Sequence, residues 1–326
     1  MRQLTMLLAA AAIVAFGTHP GFAEDWPSRP LTMVVPFAAG GPIDTLGRVL
    51  QPSLGAALGQ QVIIENAPGG GGMIGSQRVA VAPVDSHMFV LGSIGTHSIG
   101  QSMHSKPPYD AATAFQPVIL VADAPLVLIV RKDLPVKNFK EFVAYAKANQ
   151  GKMQFGSGGT GTSSHIGCVL LNDTIGVKVV HVPYRGGGPA LQDLIAGRID
   201  YICNYVSTAV TAVKSGQARV LATLAHARSA SFPDVPTADE QGLKGFDISA
   251  WNAAFLPKSA TPAMVTRLNA AFSKALDNAT VRKRFDDLGL IPPTAARRTP
   301  AYLKTFVESE IKKWAAPVKA GGLQVD

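Results

Sequence analysis

The sequence predicts an α/β protein of two domains, each a mostly parallel sheet flanked by helices. Three observations carry that expectation. Short apolar runs alternate with amphipathic helical stretches almost throughout the 326 residues. Glycine clusters follow the predicted strands directly, where open parallel sheets place their ligand-facing loops. Behind a predicted export signal about 300 residues remain, room for two cores at ~150 residues per domain.

The first element is that signal. In Met1–Ala23, Arg2 is the charged start, Leu4–Phe16 the apolar core and Gly21-Phe22-Ala23 a small-residue cleavage site. Thr18, Pro20 and Gly21 break the apolar run, which is shorter than the ~20 residues that span a bilayer. The mature chain is expected to start near Glu24 in the periplasm, with no cysteine there to carry a lipid anchor.

Trp26–Arg48, WPSRPLTMVVPFAAGGPIDTLGR, comes next and reads as strand, turn and helix. Leu31–Val35 suits a strand covered on both faces. Pro36 and Gly40-Gly41-Pro42 end it, and Asp44 is placed to cap a helix with Leu46, Val49, Leu50, Leu54 and Leu58 on one face. A glycine turn feeding a helix start leaves backbone N–H groups that favour an anion.

Further strands are expected at Val62–Glu65, Met88–Leu91, Val118–Val121, Leu126–Val130, Met153–Phe155, Lys178–Val182, Ile199–Cys203 and Val220–Leu224. Asn138 and Glu141 form a capping box opening a helix over Phe139–Ala148. Pro189, Pro262 and Pro300 each fall where a first helical position would be. The last helix puts Leu303, Phe306, Val307, Ile311, Trp314 and Val318 on one stripe. The extended stretches Pro125–Val130 and Ser249–Leu256 read as connections between the halves. Domain 1 is then 24–124 with 250–326, and domain 2 is 125–249.

Glycines cluster in Phe37–Asp44, Pro68–Ser76 and Gly92–Ser98, and again in Gly156–His165 and Tyr184–Pro189. Loops from both halves would face one another across a binding cleft, with glycine permitting close backbone approach. The net charge of +8 is scattered in short pairs such as Arg131-Lys132 and Lys312-Lys313. Without aromatics interleaved among the basic residues, this argues against nucleic acid and for attraction of small anions.

Other chemistries find little support. Gly70–Gly75 and Gly156–Gly161 both fit G-x-G-x-x-G, but the strands that follow them end in Gly92-Ser93 and His181-Val182, without the acid a dinucleotide site needs. Neither match carries the Gly-Lys-Ser/Thr of a P-loop, and no serine stands in G-x-S-x-G. His87, His97, His104, His165, His181 and His226 lack zinc spacing. Export permits a disulfide between Cys168 and Cys203. The residues alone favour two unpaired buried thiols, since spacing does not show the short Cα separation a bridge requires.

Six segments, WPSRPLTMVVPFAAGGPIDTLGR, VIIENAPGGGGMIGS, LGSIGTHSI, SGGTGTSSH, VHVPYRGGGPAL and FPDVPTADEQGL, match in order and spacing along the whole mature length. By them the chain resembles the tripartite tricarboxylate transporter substrate-binding family, or Bug family. The resemblance implies a two-domain periplasmic-binding-protein (flytrap) fold with two crossover segments, closing on a small carboxylate. It implies a receptor that is no enzyme, needs no cofactor or metal, acts as a monomer, and delivers its solute to membrane subunits of a tripartite transporter.

Carried over by residue, the first wall of the site is Phe37, Ala38, Ala39, Gly40, Gly41 and Asp44, continued by Gly72, Ser93, Thr96 and His97. Ser157, Gly158, Thr160, Thr162, Ser163 and His165 face it, with Tyr184 and Asn204. Ala38-Ala39 stand where the family often has prolines, and Asn204 where an aspartate is common, which favours an anionic solute over one with an ammonium. Arg185 reads either as a counter-charge or as a solvated surface residue. Two other classes stay open: a sensory module for a membrane signalling protein, and a periplasmic enzyme with His97 or His165 as base.

Overall fold

The computed structural model describes residues 26–225 and 227–320, so the expected signal Met1–Ala23 lies outside the described residues. The strands are β1 (Leu31–Val35), β2 (Val62–Asn66), β3 (Met88–Ser93), β4 (Phe115–Arg131), β5 (Gln154–Ser157), β6 (Val180–Pro183), β7 (Tyr201–Tyr205), β8 (Ala218–Thr223) and β9 (Ser249–Pro257). The helices are α1 (Pro42–Leu58), α2 (Met73–Ala80), α3 (Gly100–Met103), α4 (Phe139–Asn149), α5 (Ser163–Ile175), α6 (Gly187–Ile195), α7 (Val206–Lys214), α8 (Pro262–Asp277), α9 (Ala279–Leu288) and α10 (Pro300–Ala320).

The strand order is β2-β1-β3-β9-β4-β7-β5-β6, with β8 also on β4. β4 joins the two lobes. From Phe115 to Pro125 it pairs with β9; from Leu126 onward it pairs with β7 and β8. In the first sheet β9 alone runs against β1, β2, β3 and β4, and in the second β4 alone runs against β5, β6, β7 and β8. Each sheet is therefore mostly parallel, with one reversed strand.

The runs Val118–Val121 and Leu126–Val130, expected as separate strands, belong to the single 17-residue β4. Pro125 stands where the ladder with β9 ends and the ladder with β7 begins, so its missing N–H interrupts neither. Ser249–Leu256, expected as a connection, is most of β9. Past Ser249 the strand is buried at every residue, so no polar alternation marks it.

Local signals account for most helix starts. Asn138 accepts from the Glu141 N–H at 2.9 Å and caps α4, while Glu141 accepts from the Lys137 N–H. Pro262 and Pro300 open α8 and α10. Pro189 lies in the first turn of α6 but not first, because the helix begins at Gly187. Asp44 is not the cap of α1. Gly41 is, with no side-chain cap bond, and Asp44 sits two residues into the helix, buried and reaching back.

The cysteines are paired, against the expectation of free thiols. Cys168 on α5 and Cys203 on β7 form a disulfide with their Cα atoms 5.2 Å apart, within bridging range. The helix α5 lies on β7, which brings together residues 35 apart in sequence.

The core lies on both faces of the sheets. In the first lobe Trp251 of β9 meets α10, whose stripe buries Leu303, Val307, Trp314 and Val318. Glu310 on the same helix, itself buried, accepts N–H bonds from Trp251 (2.9 Å) and Trp314 (3.2 Å). Near the crossover, Arg297 grips Asp123 of β4 with both Nη atoms, and Asp123 exchanges backbone bonds with Ile291. Among the described residues no helix is long and apolar enough to cross a membrane.

Candidate functional site

Four helices start around one small cavity between the sheets. Pro42 and Ile43 bring the first turn of α1; Thr162, Ser163 and Ser164 bring the start of α5. Gly187 opens α6 and Tyr205 directly precedes α7. Phe37, Gly158 and Asn204 complete the lining, so α1 and Phe37 come from the first lobe and the rest from the second. No charged side chain lines the cavity. Side-chain caps are absent at α1, α6 and α7, which leaves the first-turn N–H groups of these helices without a side-chain acceptor. The positive ends of the helix dipoles add to one another there.

The two walls touch. The Ala38 N–H donates to Arg185 O at 3.1 Å across the lobes. A Cβ built on Gly188 would stand 3.0 Å from Gly40 O, and one on Gly71 only 2.2 Å from Thr160 O. Gly95 similarly faces Gly161 O at 3.2 Å. A side chain at Gly71 would collide with the opposite backbone, and at Gly188 and Gly95 it would stand tighter than an ordinary contact. The enclosed cavity holds ≈ 20 Å³, room for about one water.

Outside it lies a mouth of ≈ 450 Å³ between Gly69–Gly72 and His104 on one lobe and Gly158–Thr160 with Pro183–Arg185 on the other. Gly69, Gly70, Gly71 and Gly72 all have positive φ, a run only glycine adopts readily. Phe37 and Gly158 border both spaces and stand between them. Arg185 is exposed and is the one charged residue of the mouth lining.

Of the residues expected at the site, Phe37, Gly158, Thr162, Ser163 and Asn204 line the inner cavity. Gly72, Thr160 and Tyr184 line the mouth. Ala38, Gly40 and Gly41 form the wall facing Gly186–Gly188, and Ala39 is exposed beside them. The carboxylate of Asp44 is fully engaged within its own lobe. Oδ2 accepts from the Gly40 N–H (2.9 Å) and Arg48 Nε (2.8 Å), and Oδ1 from Asn66 Nδ2 (3.0 Å). Burial pushes its pKa up, but the bonds from Arg48, Gly40 and Asn66 outweigh it and hold the group below the usual aspartate range. It shapes the turn.

Ser93, Thr96, His97, Ser157 and His165 lie behind the lining. Thr96 Oγ1 accepts from the Ser93 N–H and meets His97 Nδ1 at 2.8 Å. The His97 ring stacks on Phe255 at 3.9 Å, over Gly92, where a Cβ would strike it at 2.4 Å. Ser157 Oγ lies 2.6 Å from His181 Nε2, and His165 stacks on His181 at 4.0 Å while its Nδ1 accepts from the Gly161 N–H. Pro42, Ile43, Ser164, Gly187 and Tyr205 line the cavity without having been singled out. Pro42, Ile43, Ser164 and Gly187 fall inside glycine-rich segments already noted; Tyr205 lies just past the expected strand Ile199–Cys203 and carries no signal of its own. Among the described residues no group of His, Cys, Asp and Glu could hold a metal.

These histidines are held neutral. Burial pulls the pKa of His97 down to about 3. Burial and then the neighbouring His181 take His165 to about 3, and burial takes His181 to about 4. Each folded value lies below the unfolded 6.5, so the stabilisation is complete above pH 6.5 and is lost as pH falls from there toward 3–4. For fully buried His97 the loss at pH 5 is about 2 kcal/mol. Melting temperature is expected to drop between pH 7.5 and 5, and to drop less in His97→Phe, which keeps the ring stack without a proton site. Equal melting of wild type and variant across that range would contradict the assignment.

Two solved proteins of similar shape hold carboxylic acids. The chain matches the tripartite tricarboxylate transporter family receptor over residues 46–323. It is 39% identical to MatC from Rhodopseudomonas palustris with bound malate, at a TM-score of 0.87 over 90% of this chain and 100% of that one. The periplasmic binding protein BugD is 34% identical with a TM-score of 0.89, covering 92% and 99%. A second R. palustris protein, solved with adipate, is 30% identical with a TM-score of 0.87, covering 91% and 98%.

Proposed function

Because the chain belongs to the tripartite tricarboxylate transporter receptors, the family of the Bug periplasmic binding proteins, we propose that it captures a small carboxylate between its lobes and hands it to a tripartite transporter. The solute is a mono- or dicarboxylate, aromatic acids included, and the receptor works as an exported monomer. The observation that carries this reading is the meeting of four helix starts from both lobes on one cavity without a charged side chain. Oriented amides hold an anion there without the desolvation cost of a buried ion pair.

Entry requires the walls to part. The bodies that move are 24–124 with 250–326, and 125–249, hinged where β4 changes partners at Pro125–Leu126 and where β9 begins at Ser249. The loops of Phe37–Gly41, Gly72 and Ser157–His165, with Tyr184 and Asn204, close on the solute. Arg185 at the mouth draws the anion in. Capture rather than turnover is supported by the surroundings: His97 and His165, the candidate bases, stand outside the cavity lining, and burial makes them weak proton acceptors.

A thermal-shift screen over malate, adipate, succinate and benzoate, followed by calorimetry, tests the reading. An acid at 100 times its dissociation constant is expected to add about 2.7 kcal/mol of stability. Stabilisation by non-acidic compounds alone, or conversion of the stabilising acid on long incubation, defeats it.

A further inference from the structure

We infer that a pocket on the far side of the hinge from the cleft is a second ligand site, which takes a small aromatic amine and, when filled, favours closure on the acid in front. The coupling rests on the capture reading above; the pocket and its chemistry do not.

The pocket holds ≈ 590 Å³ and is built from both lobes. Ala225, Ala227 and Ala230 follow β8 of the second lobe, while Trp251, Leu290 and Phe306 come from the first. Its place relative to the cleft is set by the register of β4 and β9. Asp123 pairs with Trp251 and Pro125 with Ser249, and all four line the pocket. Ala122 pairs with Asn252, whose Nδ2 donates to Gly92 O and whose side chain also bonds the hydroxyl of Tyr205, a residue of the cleft cavity. Neighbouring residues of a strand point to opposite faces, so the crossing strands separate the pocket from the cleft. A bend about those strands that closes one side opens the other. In this structure the cleft walls touch, and the pocket behind them stands open.

The lining selects against a second acid. Trp251 and Phe306 meet edge to face with ring centres 5.3 Å apart, and Leu290 with Pro125 and Pro292 extends this apolar bed. The charged lining is four acidic residues, Asp286 among them, against Arg228, Arg297 and Lys313. Each of those basic groups already lies against a carboxylate: Arg228 with Glu240 (2.9 Å), Arg297 with Asp123 (2.5 Å) and Lys313 with Glu310 (3.5 Å). An acid would compete with one of these carboxylates for its cation. An ammonium instead meets Asp286 in the last turn of α9, where the negative end of the helix adds to the carboxylate. An aromatic ring carrying an amine suits both the apolar bed and its rim. It also differs in charge from the solute of the cleft, so the two ligands do not compete.

Phenethylamine is the probe, 3-phenylpropionate its acidic counterpart, and malate or the best acid of the screen fills the cleft. Calorimetry on the malate-loaded protein is expected to show one phenethylamine bound, with 3-phenylpropionate about tenfold weaker or more. Saturating phenethylamine should tighten malate about fivefold, and malate should tighten phenethylamine by the same factor. Ala230→Trp sets an indole into the pocket from an exposed lining position. It is expected to weaken phenethylamine about tenfold and, acting as a wedge behind the hinge, to tighten malate without any amine present. Ala227→Trp, at a second exposed lining alanine, carries the same test if the first variant does not fold. No phenethylamine bound to the malate-loaded protein, 3-phenylpropionate bound as tightly, undiminished amine binding in the tryptophan variants, or malate affinity unmoved or lowered by the amine each overturns the proposal. If the wild type binds no acid at all, the capture reading fails with the coupling, and amine binding lost in the variants still upholds the pocket.

Discussion

Gly71→Ala is expected to weaken solute binding by about a hundredfold in a protein that still folds. One methyl suffices because of where it would go. The Cβ would stand 2.2 Å from Thr160 O, a backbone carbonyl of the opposite lobe. No rotamer can relieve a contact between a Cβ and a main-chain atom, so the mouth loops must separate. A hundredfold loss is about 2.7 kcal/mol, well within what a lost closure can cost. Once the walls part that clash is relieved, and only the local backbone cost remains. Gly71 has φ +64, so alanine there also costs ~1–2 kcal/mol in local backbone energy. Gly59→Ala separates the two effects: φ is +73, but nothing lies within 4 Å. That control should lose similar stability and keep wild-type affinity. Calorimetric titration of both variants with the best acid from the screen decides it, and wild-type affinity in Gly71→Ala would show that the loops do not meet when solute is bound.

The contact at Gly71 illustrates which parts of the molecule are legible in sequence. Gly70–Gly72 announces a tight, left-handed backbone after a strand, because only glycine tolerates that conformation. What the run approaches is a loop about ninety residues away at Thr160–Gly161, and no local pattern encodes that meeting. The same division runs through the fold. β1, β3 and the capped α4 are written in local apolar runs and in Asn138 with Glu141. β9 is not, since a strand buried on both faces loses the alternation that marks a half-exposed one.

Asp44 shows a finer limit. Its place at a helix start is legible, but one residue type serves as cap or as third helical residue, and only the turn geometry at Gly40-Gly41 selects between them. Ile43 and Tyr205 carry no local signal for a related reason: the packing of separate elements brings them to the cavity. The family resemblance points to loops in sequence; the direction of each side chain is a property of the packed structure.

Removing the disulfide with Cys168→Ala/Cys203→Ala is expected to cost about 3–4 kcal/mol, the chain-entropy value for a loop of 35 residues. For a chain of this length that corresponds to a fall in melting temperature of several degrees, at about 2 °C per kcal/mol. The consequence extends to the cavity. Cys203 is followed by Asn204 and Tyr205, and Cys168 lies in the helix that begins with Ser163 and Ser164. The bridge therefore fixes α5 against β7 just below the point where both reach the lining. The Ser163–Tyr205 and Tyr201–Asn172 hydrogen bonds also tie the same elements, and each is weaker than the covalent bridge. With the covalent tie gone, the start of α5 and the Asn204 amide should hold their mutual position less firmly, and solute affinity should fall severalfold along with stability. Both sulfurs of the bridge belong to fully buried residues, so the paired alanine variant is a better probe than reductant, which must reach them. Denaturant unfolding and calorimetry on that variant give the two readouts. Unchanged unfolding would mean that the bridge does not form in the folded protein. Lower stability with unchanged affinity would confine the bridge to holding the second lobe together and leave the cavity to the Ser163–Tyr205 bond.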